Sequence, residues 1–197
     1  MARQSMREEI VAAAADRFHT HGYNAAGVKD ITDAAGVPKG SFYNHFPSKE
    51  ALAVTILELY GATRRLKELS DPSVEPLTRL RRHFEFLRAE QKQYGYTRGC
   101  LLGNFGAEVA DHSTELRERV GDSFDRWSRA LAGALRDAVT SGAVDPALDP
   151  DETALFLLSA WEGALLVARG GRSGKPFDVF FGMVFDRILV PGRQQRD

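Results

Sequence analysis

Two short stretches of this chain hold residue types at spacings that could do chemistry. The first is Val28-Lys-Asp-Ile-Thr-Asp-Ala-Ala-Gly-Val-Pro-Lys-Gly-Ser-Phe-Tyr-Asn-His-Phe46. It reads as two short helices joined by a tight turn containing Gly36, the arrangement of a helix-turn-helix. The second of these helices is small and polar on one side, so it could enter a major groove about 12 Å wide. The second stretch is Arg98-Gly-Cys-Leu-Leu-Gly-Asn-Phe-Gly-Ala-Glu108. A thiol at a helix start, near Arg98, has its thiolate favoured and becomes a better nucleophile. Cys100 could therefore react with an electrophile or oxidant, but a free cysteine also packs well as a small buried residue. Asn104 and Glu108, at i and i+4, share a helix face and could anchor a polar ligand; a solvated face or a buried hydrogen bond would look the same. Phe105, Trp127, Phe156 and Trp161 could line a small-molecule pocket, although their helical spacing equally makes them core.

Other signals lead nowhere. Gly170 to Pro176 has the look of a phosphate-binding loop, but the required first glycine falls at Arg169, Pro176 replaces the Ser or Thr, and no strand precedes it. The five histidines, at 19, 21, 45, 83 and 112, form no metal-ligand spacing with Cys100. No nucleophile, base and orienting group can be assembled. No cofactor, no metal and no enzymatic activity are expected.

These residues must be positioned by helices, because alternating strand patterns are scarce. The periodicity predicts about nine helices. The first spans Arg7 to Thr20 and ends at Gly22; the second spans Val28 to Ala35 and stops at Gly36. The third starts at Pro38, where a missing N–H costs nothing, and runs to about Phe46. Ser48 caps a fourth from Lys49 to about Leu69. Asp71-Pro72-Ser73 breaks the chain. The fifth carries Leu77, Leu80, Phe84 and Leu87. Glycines at 99, 103 and 106 weaken a short sixth helix, Leu101 to Ala110, by about 1 kcal/mol each relative to alanine. The seventh begins near Thr114 with an apolar seam through Trp127 to Leu135. Asp149-Pro150-Asp151-Glu152 opens the eighth. The ninth, Phe177 to Leu189, is apolar on more than one side, which calls for cover from a partner subunit.

The bulk numbers set limits. A chain of 197 residues, 43% hydrophobic and 27% charged, is ordinary for a soluble globular protein. No stretch is expected to approach the roughly 20 apolar residues that span a bilayer, and the first residues lack a signal-peptide core. A lone cysteine forms no internal disulfide, and the expected location is cytoplasmic. The net charge is −1, so any basic footprint for nucleic acid must be local. The break at Asp71-Pro72-Ser73 divides the chain into a helix-turn-helix domain over 1–48, a connecting helix over 49–70 and a second domain over 71–197, to which the family resemblance described next assigns sensing and dimerisation.

Residues 7–58 resemble the DNA-binding domain of TetR-family regulators. The likeness rests on Phe18, Gly22, Ile31, Ala34-Ala35-Gly36-Val37, Gly40-Ser41-Phe42-Tyr43, His45-Phe46 and Ser48-Lys49-Glu50-Ala51-Leu52. Gly27 departs from a usual capping Thr, and Thr32 from a common Ala. The resemblance implies an all-α fold, with Lys39, Gly40 and Ser41 facing base edges and Lys39 best suited to guanine. It implies that Tyr43, His45 and Lys49 hold phosphates and that Val28 and Lys29 reach the groove from the second helix. It further implies a homodimer, formed through helices eight and nine, on a near-palindromic operator, released by a small molecule or an electrophile. The stretch around Cys100 resembles the branch that includes the repressor of N-ethylmaleimide reductase, in which a cysteine here responds to electrophiles. In that branch a lysine can partner the cysteine; Arg169 stands at the matching position here. Operator, inducer and sign of regulation are not legible.

Overall fold

The computed structural model describes residues 5–192, and among them the secondary structure is helical, without strands. The helices are α1 (Met6–His21), α2 (Val28–Ala35), α3 (Lys39–Tyr43), α4 (Lys49–Ala62), α5 (Pro76–Gln93), α6 (Leu101–Val109), α7 (Thr114–Thr140), α8 (Pro150–Gly171) and α9 (Lys175–Met183). A 3₁₀ turn at Leu66–Ser70 follows α4, and a π-helical turn at Val184–Ile188 follows α9. The helices pack as two compact units, the first discontinuous in sequence.

The first unit holds α1 to α4, α6 and the start of α7 as far as Ser123. Ser5 caps α1: its hydroxyl accepts from the Glu8 amide at 3.3 Å, and the Glu8 carboxylate accepts from the Ser5 amide at 2.9 Å. Gly36 ends α2 in the left-handed region at φ 69°, where a side chain would be strained. Gly27 offers no capping oxygen, and Asp30 compensates by accepting from the Gly27 amide at 3.0 Å. Thr32 is buried with its hydroxyl satisfied by the carbonyls of Val28 and Lys29. Ile10, Ala14 and Phe18 of α1 close over Ile31, Val37, Phe42 and Phe46, all buried.

The second unit holds the 3₁₀ turn, α5, α7 from Phe124, and α8 and α9. Its core is Leu80, Phe84, Leu87, Trp127, Leu131, Leu135, Leu157, Trp161, Leu165, Phe177 and Phe180. Asp149 caps α8 by accepting from the amides of Asp151 and Glu152, both at 2.9 Å.

Four expectations need correction. Helix α3 ends at Tyr43, because the amides of His45 and Phe46 both turn back to the Phe42 carbonyl before Pro47; Pro38 is its cap residue, not its first turn. Helix α4 ends at Ala62, and Arg65 at φ 55° redirects the chain into the 3₁₀ turn. Helix α9 starts at Lys175 and gives way to a π turn, closed by the Leu189 amide on the Val184 carbonyl at 2.8 Å. Lastly, α8 spans 22 residues with mean hydropathy reaching 1.2, so by length and composition one helix could cross a bilayer. It carries Glu162 and Arg169.

Candidate functional site

The turn from α2 to α3 sets one face outward. Phe42 is fully buried and Phe46 nearly so, which fixes the short α3 against α1 and α2. That leaves Lys39, Gly40, Tyr43 and His45 exposed on the opposite side and Ser41 half-buried. The Tyr43 ring rests edge-on against Phe42 at 5.2 Å, so its hydroxyl is held out on a rigid base. Val28 opens α2 half-buried, and Lys29 beside it is exposed. Lys29 pairs with Asp33 at 2.5 Å, and that hydrogen bond raises its pKa. The arrangement offers donors and cationic side chains on an exposed edge, which suits a duplex groove.

Lys49 is placed differently from the other predicted phosphate residues. Its Nζ donates to the Tyr23 carbonyl at 2.9 Å and sits 4.1 Å from the centre of the Tyr23 ring. Burial pushes its pKa below the ordinary lysine value, and the Glu108 carboxylate works in the other direction. Two ammonium hydrogens are left for other acceptors.

Helix α6 reaches the same region. The Glu108 carboxylate accepts from the Asn24 amide at 3.0 Å, while the Asn24 side chain donates to the Glu108 carbonyl at 3.3 Å. Read in the sequence as a ligand anchor, Glu108 is thus engaged with the loop that leaves α1. Nearby, the Ser113 hydroxyl donates to Glu50 at the start of α4. Phe105 is core, with Phe18 at 5.6 Å and Tyr23 at 5.4 Å. Asn104 is half-buried. Cys100 is the cap residue of α6, buried, and accepts a hydrogen bond from the Tyr60 hydroxyl at 3.7 Å. Tyr60 and the Glu108 loop contacts were missed by sequence reasoning, since both depend on residues 40 or more positions away.

The remaining sensor candidates lie in the second unit. Arg98 stacks on Tyr94, with its guanidinium 4.1 Å from the ring centre. Arg169 is half-buried in the last turn of α8. Trp161 packs against Phe84, Phe177 and Phe180 at 5.0–5.2 Å. Trp127 donates its indole N–H to His83 Nε2 at 2.8 Å, a buried polar contact to a residue that had drawn no attention beyond the metal question. The available signal was Arg79, His83 and Gln91, three polar residues at multiples of four inside the apolar face of α5. Phe156 is 51% exposed and borders an open groove between α8 and α9.

Known proteins share this architecture. Residues 10–56 match the family model "Bacterial regulatory proteins, tetR family", and residues 76–183 match "Tetracyclin repressor-like, C-terminal domain". The HTH-type transcriptional repressor DhaR of Mycobacterium sp. strain GP1 is 35% identical over 96% of this chain and 95% of its own. The HTH-type transcriptional repressor NemR of Escherichia coli is 30% identical over 94% of each. The crystal structure of regulatory protein TetR from Rhodobacter sphaeroides superposes with a TM-score of 0.85 at 32% identity, over 93% of this chain and 98% of that one. Reduced E. coli NemR gives 0.86 at 27% identity, over 97% and 100%. With both family models in register and the exposed turn-helix edge in place, this chain belongs to the TetR family of dimeric, DNA-binding transcriptional regulators.

Proposed function

We propose that the chain is a cytoplasmic homodimeric repressor, not an enzyme, that leaves a near-palindromic operator when a signal reaches its C-terminal region. Residues 1–48 bind DNA, 49–70 connect, and 71–197 sense and dimerise. The observation that supports this best is the α2–α3 edge, where Phe42 and Phe46 are buried and Lys39, Tyr43 and His45 stand outside. Lys39, Gly40 and Ser41 meet base edges, with Val28 and Lys29 alongside. Tyr43 and His45 hold phosphates, and Lys49 adds its charge from the start of α4.

The subunit contact is assigned to α8 and α9. Leu155, Phe156, Leu166 and Val167 of α8 and Val179 and Met183 of α9 are large, apolar and exposed in the single chain. Of these, Phe156, Val167, Val179 and Met183 line an apolar groove of about 610 Å³, whose exposure in a lone chain is what a second copy would remove.

Signal sensing is assigned to Cys100, Asn104, Phe105 and Glu108 on α6, and to Arg98, Trp127, Trp161 and Arg169. The signal is a small molecule or an electrophile acting at Cys100. Because Glu108 grips the loop at Asn24, a displaced α6 would pull on the end of α1. Shifting operator occupancy from nearly full to nearly empty needs about 5.5 kcal/mol of differential affinity.

Selection of bound duplexes from a random pool tests the DNA reading. One enriched, two-fold symmetric sequence is expected. Lys39→Ala should lose about 1–3 kcal/mol on it and relax one base position, and Tyr43→Ala should weaken all duplexes alike. An unenriched pool, or unchanged affinity after charge-neutral replacement of residues 39, 43 and 49, overturns the assignment. For the thiol, operator release by N-ethylmaleimide should disappear in Cys100→Ser; unaltered release would remove Cys100 as sensor.

A further inference from the structure

The second unit contains a buried imidazole nitrogen without a hydrogen-bond partner among the described residues. His83 lies on α5 and is 3% exposed. Its Nε2 stands 2.8 Å from Trp127 Nε1. An indole nitrogen can only donate, so Nε2 must be the unprotonated nitrogen, and a neutral ring then carries its hydrogen on Nδ1. That Nδ1 is buried, with no hydrogen-bond partner among the described residues. Burial, aided by the Arg64 guanidinium, keeps the ring neutral by lowering its pKa to about 4. A buried donor without an acceptor is uncommon in a folded protein, and its usual explanation is a missing partner.

The neighbours define what that partner could be. The other polar groups on this face of α5 are occupied at their ends: Arg79 donates to the Leu69 carbonyl and to Asp137, and Gln91 to the Gly99 carbonyl. On this face of α5 the Arg79 Nε shares the condition of His83 Nδ1, and both terminal nitrogens of that guanidinium are already held. The charge acting on the His83 ring belongs to Arg64, and Glu90 matches it with a two-pronged pair at 2.6 and 2.9 Å. An incoming carboxylate would thus meet a cation whose charge is balanced already, and would have to shed its water without a counter-charge. Around the imidazole the surroundings are aromatic, with Phe84 at 5.4 Å and Trp127 at 5.7 Å, and Trp161 and Phe180 behind Phe84.

We propose that His83 Nδ1–H is the anchoring donor of a small-molecule site in the second unit, built for an uncharged compound with a compact apolar body and a carbonyl oxygen. The inference rests on the reading of this region as signal-sensing and supplies the chemical class. Trp127 is the positioning residue: its indole fixes the tautomer that can donate. Binding is non-covalent and independent of Cys100.

The test uses the intact protein, free of DNA, with 2-butanone, cyclopentanone and acetophenone, each paired with the hydrocarbon of the same skeleton. None of these alkylates a thiol. Tryptophan fluorescence and the ¹⁵N-coupled His83 Nδ1–H resonance are followed. At least one ketone should saturate, bind about tenfold tighter than its hydrocarbon, and move the His83 resonance. His83→Gln, whose amide can both accept from Trp127 and donate, should keep the preference; His83→Leu should abolish it. If His83→Leu fails to fold, the wild-type resonance decides. A resonance indifferent to every ketone, equal binding of ketone and hydrocarbon, or a preference surviving His83→Leu overturns the proposal and leaves a trapped water as the partner. Release from the selected operator is measured in parallel. Ketone binding without release upholds the site and counts against its role as the signal.

Discussion

Lys29 and Asp33 sit one turn apart on the edge proposed to meet DNA, both well exposed, and their 2.5 Å contact occupies the lysine before any phosphate arrives. If Lys29 meets the operator as proposed, binding exchanges one carboxylate for a phosphate. Asp33→Asn should accordingly tighten binding about two- to fivefold and steepen the salt dependence by about one phosphate contact; a titration at several salt concentrations reads both. His83 gives a pH prediction of defined sign. Its folded pKa of about 4 lies below the ordinary 6.5, so the unfolded chain takes up a proton over a range where the folded chain does not. The stability involved is fully present above pH 6.5 and is lost as pH falls toward 4, by about 3 kcal/mol in all. Denaturant midpoints at several pH values should fall in that window, with a shallower fall in His83→Gln. Phe42 and Phe46 were legible as core because local spacing decides their burial. Lys49 and His83 were not, because what surrounds them is contributed by Tyr23, Glu108 and Trp127 from distant positions.

Helix starts were read more accurately than helix ends. The starts of α2, α4, α6, α7 and α8 follow from local signals, such as Ser48 and Asp149, whose side chains bond the first amides. Ends depend on competition between the next helical bond and a turn. At α4 the Thr63 amide and hydroxyl both turn back to the Tyr60 carbonyl, and an apolar pattern running on to Leu69 carries no trace of that. The end of α1 is where local and distant requirements coincide. Gly22 has φ 85°, and a β-carbon there would run into the Glu108 carboxylate. Gly22→Ala should therefore lose about 1–2 kcal/mol from backbone strain alone, and more from displacing Glu108. Paired with Glu108→Ala, which removes the obstruction, the combined loss should be smaller than the sum. Thermal denaturation of the two single variants and the double variant checks this; strict additivity would show that the loop and α6 are not coupled.

Dimeric binding converts a weak grip by one small helix into a strong one. A single α3 of five residues carries few contacts, so most of the affinity must come from presenting two at once, about 34–36 Å apart on the duplex. The subunit contact is then as much part of DNA binding as the helix-turn-helix is. If α8 and α9 form it, a charge placed in their open apolar surface should separate the subunits without disturbing either fold. Leu166 is the most sensitive place, since it is 73% exposed in the single chain and so contributes little to the chain's own core. Leu166→Glu should sediment as a monomer while keeping its helical content. Its operator affinity should drop by on the order of 10²–10⁴-fold, the advantage that pairing confers, with binding to a half-site duplex little altered. Leu166→Met, which preserves apolar surface, should remain dimeric. A dimeric Leu166→Glu protein with full operator affinity would place the contact elsewhere, and the apolar groove between α8 and α9 would need another occupant.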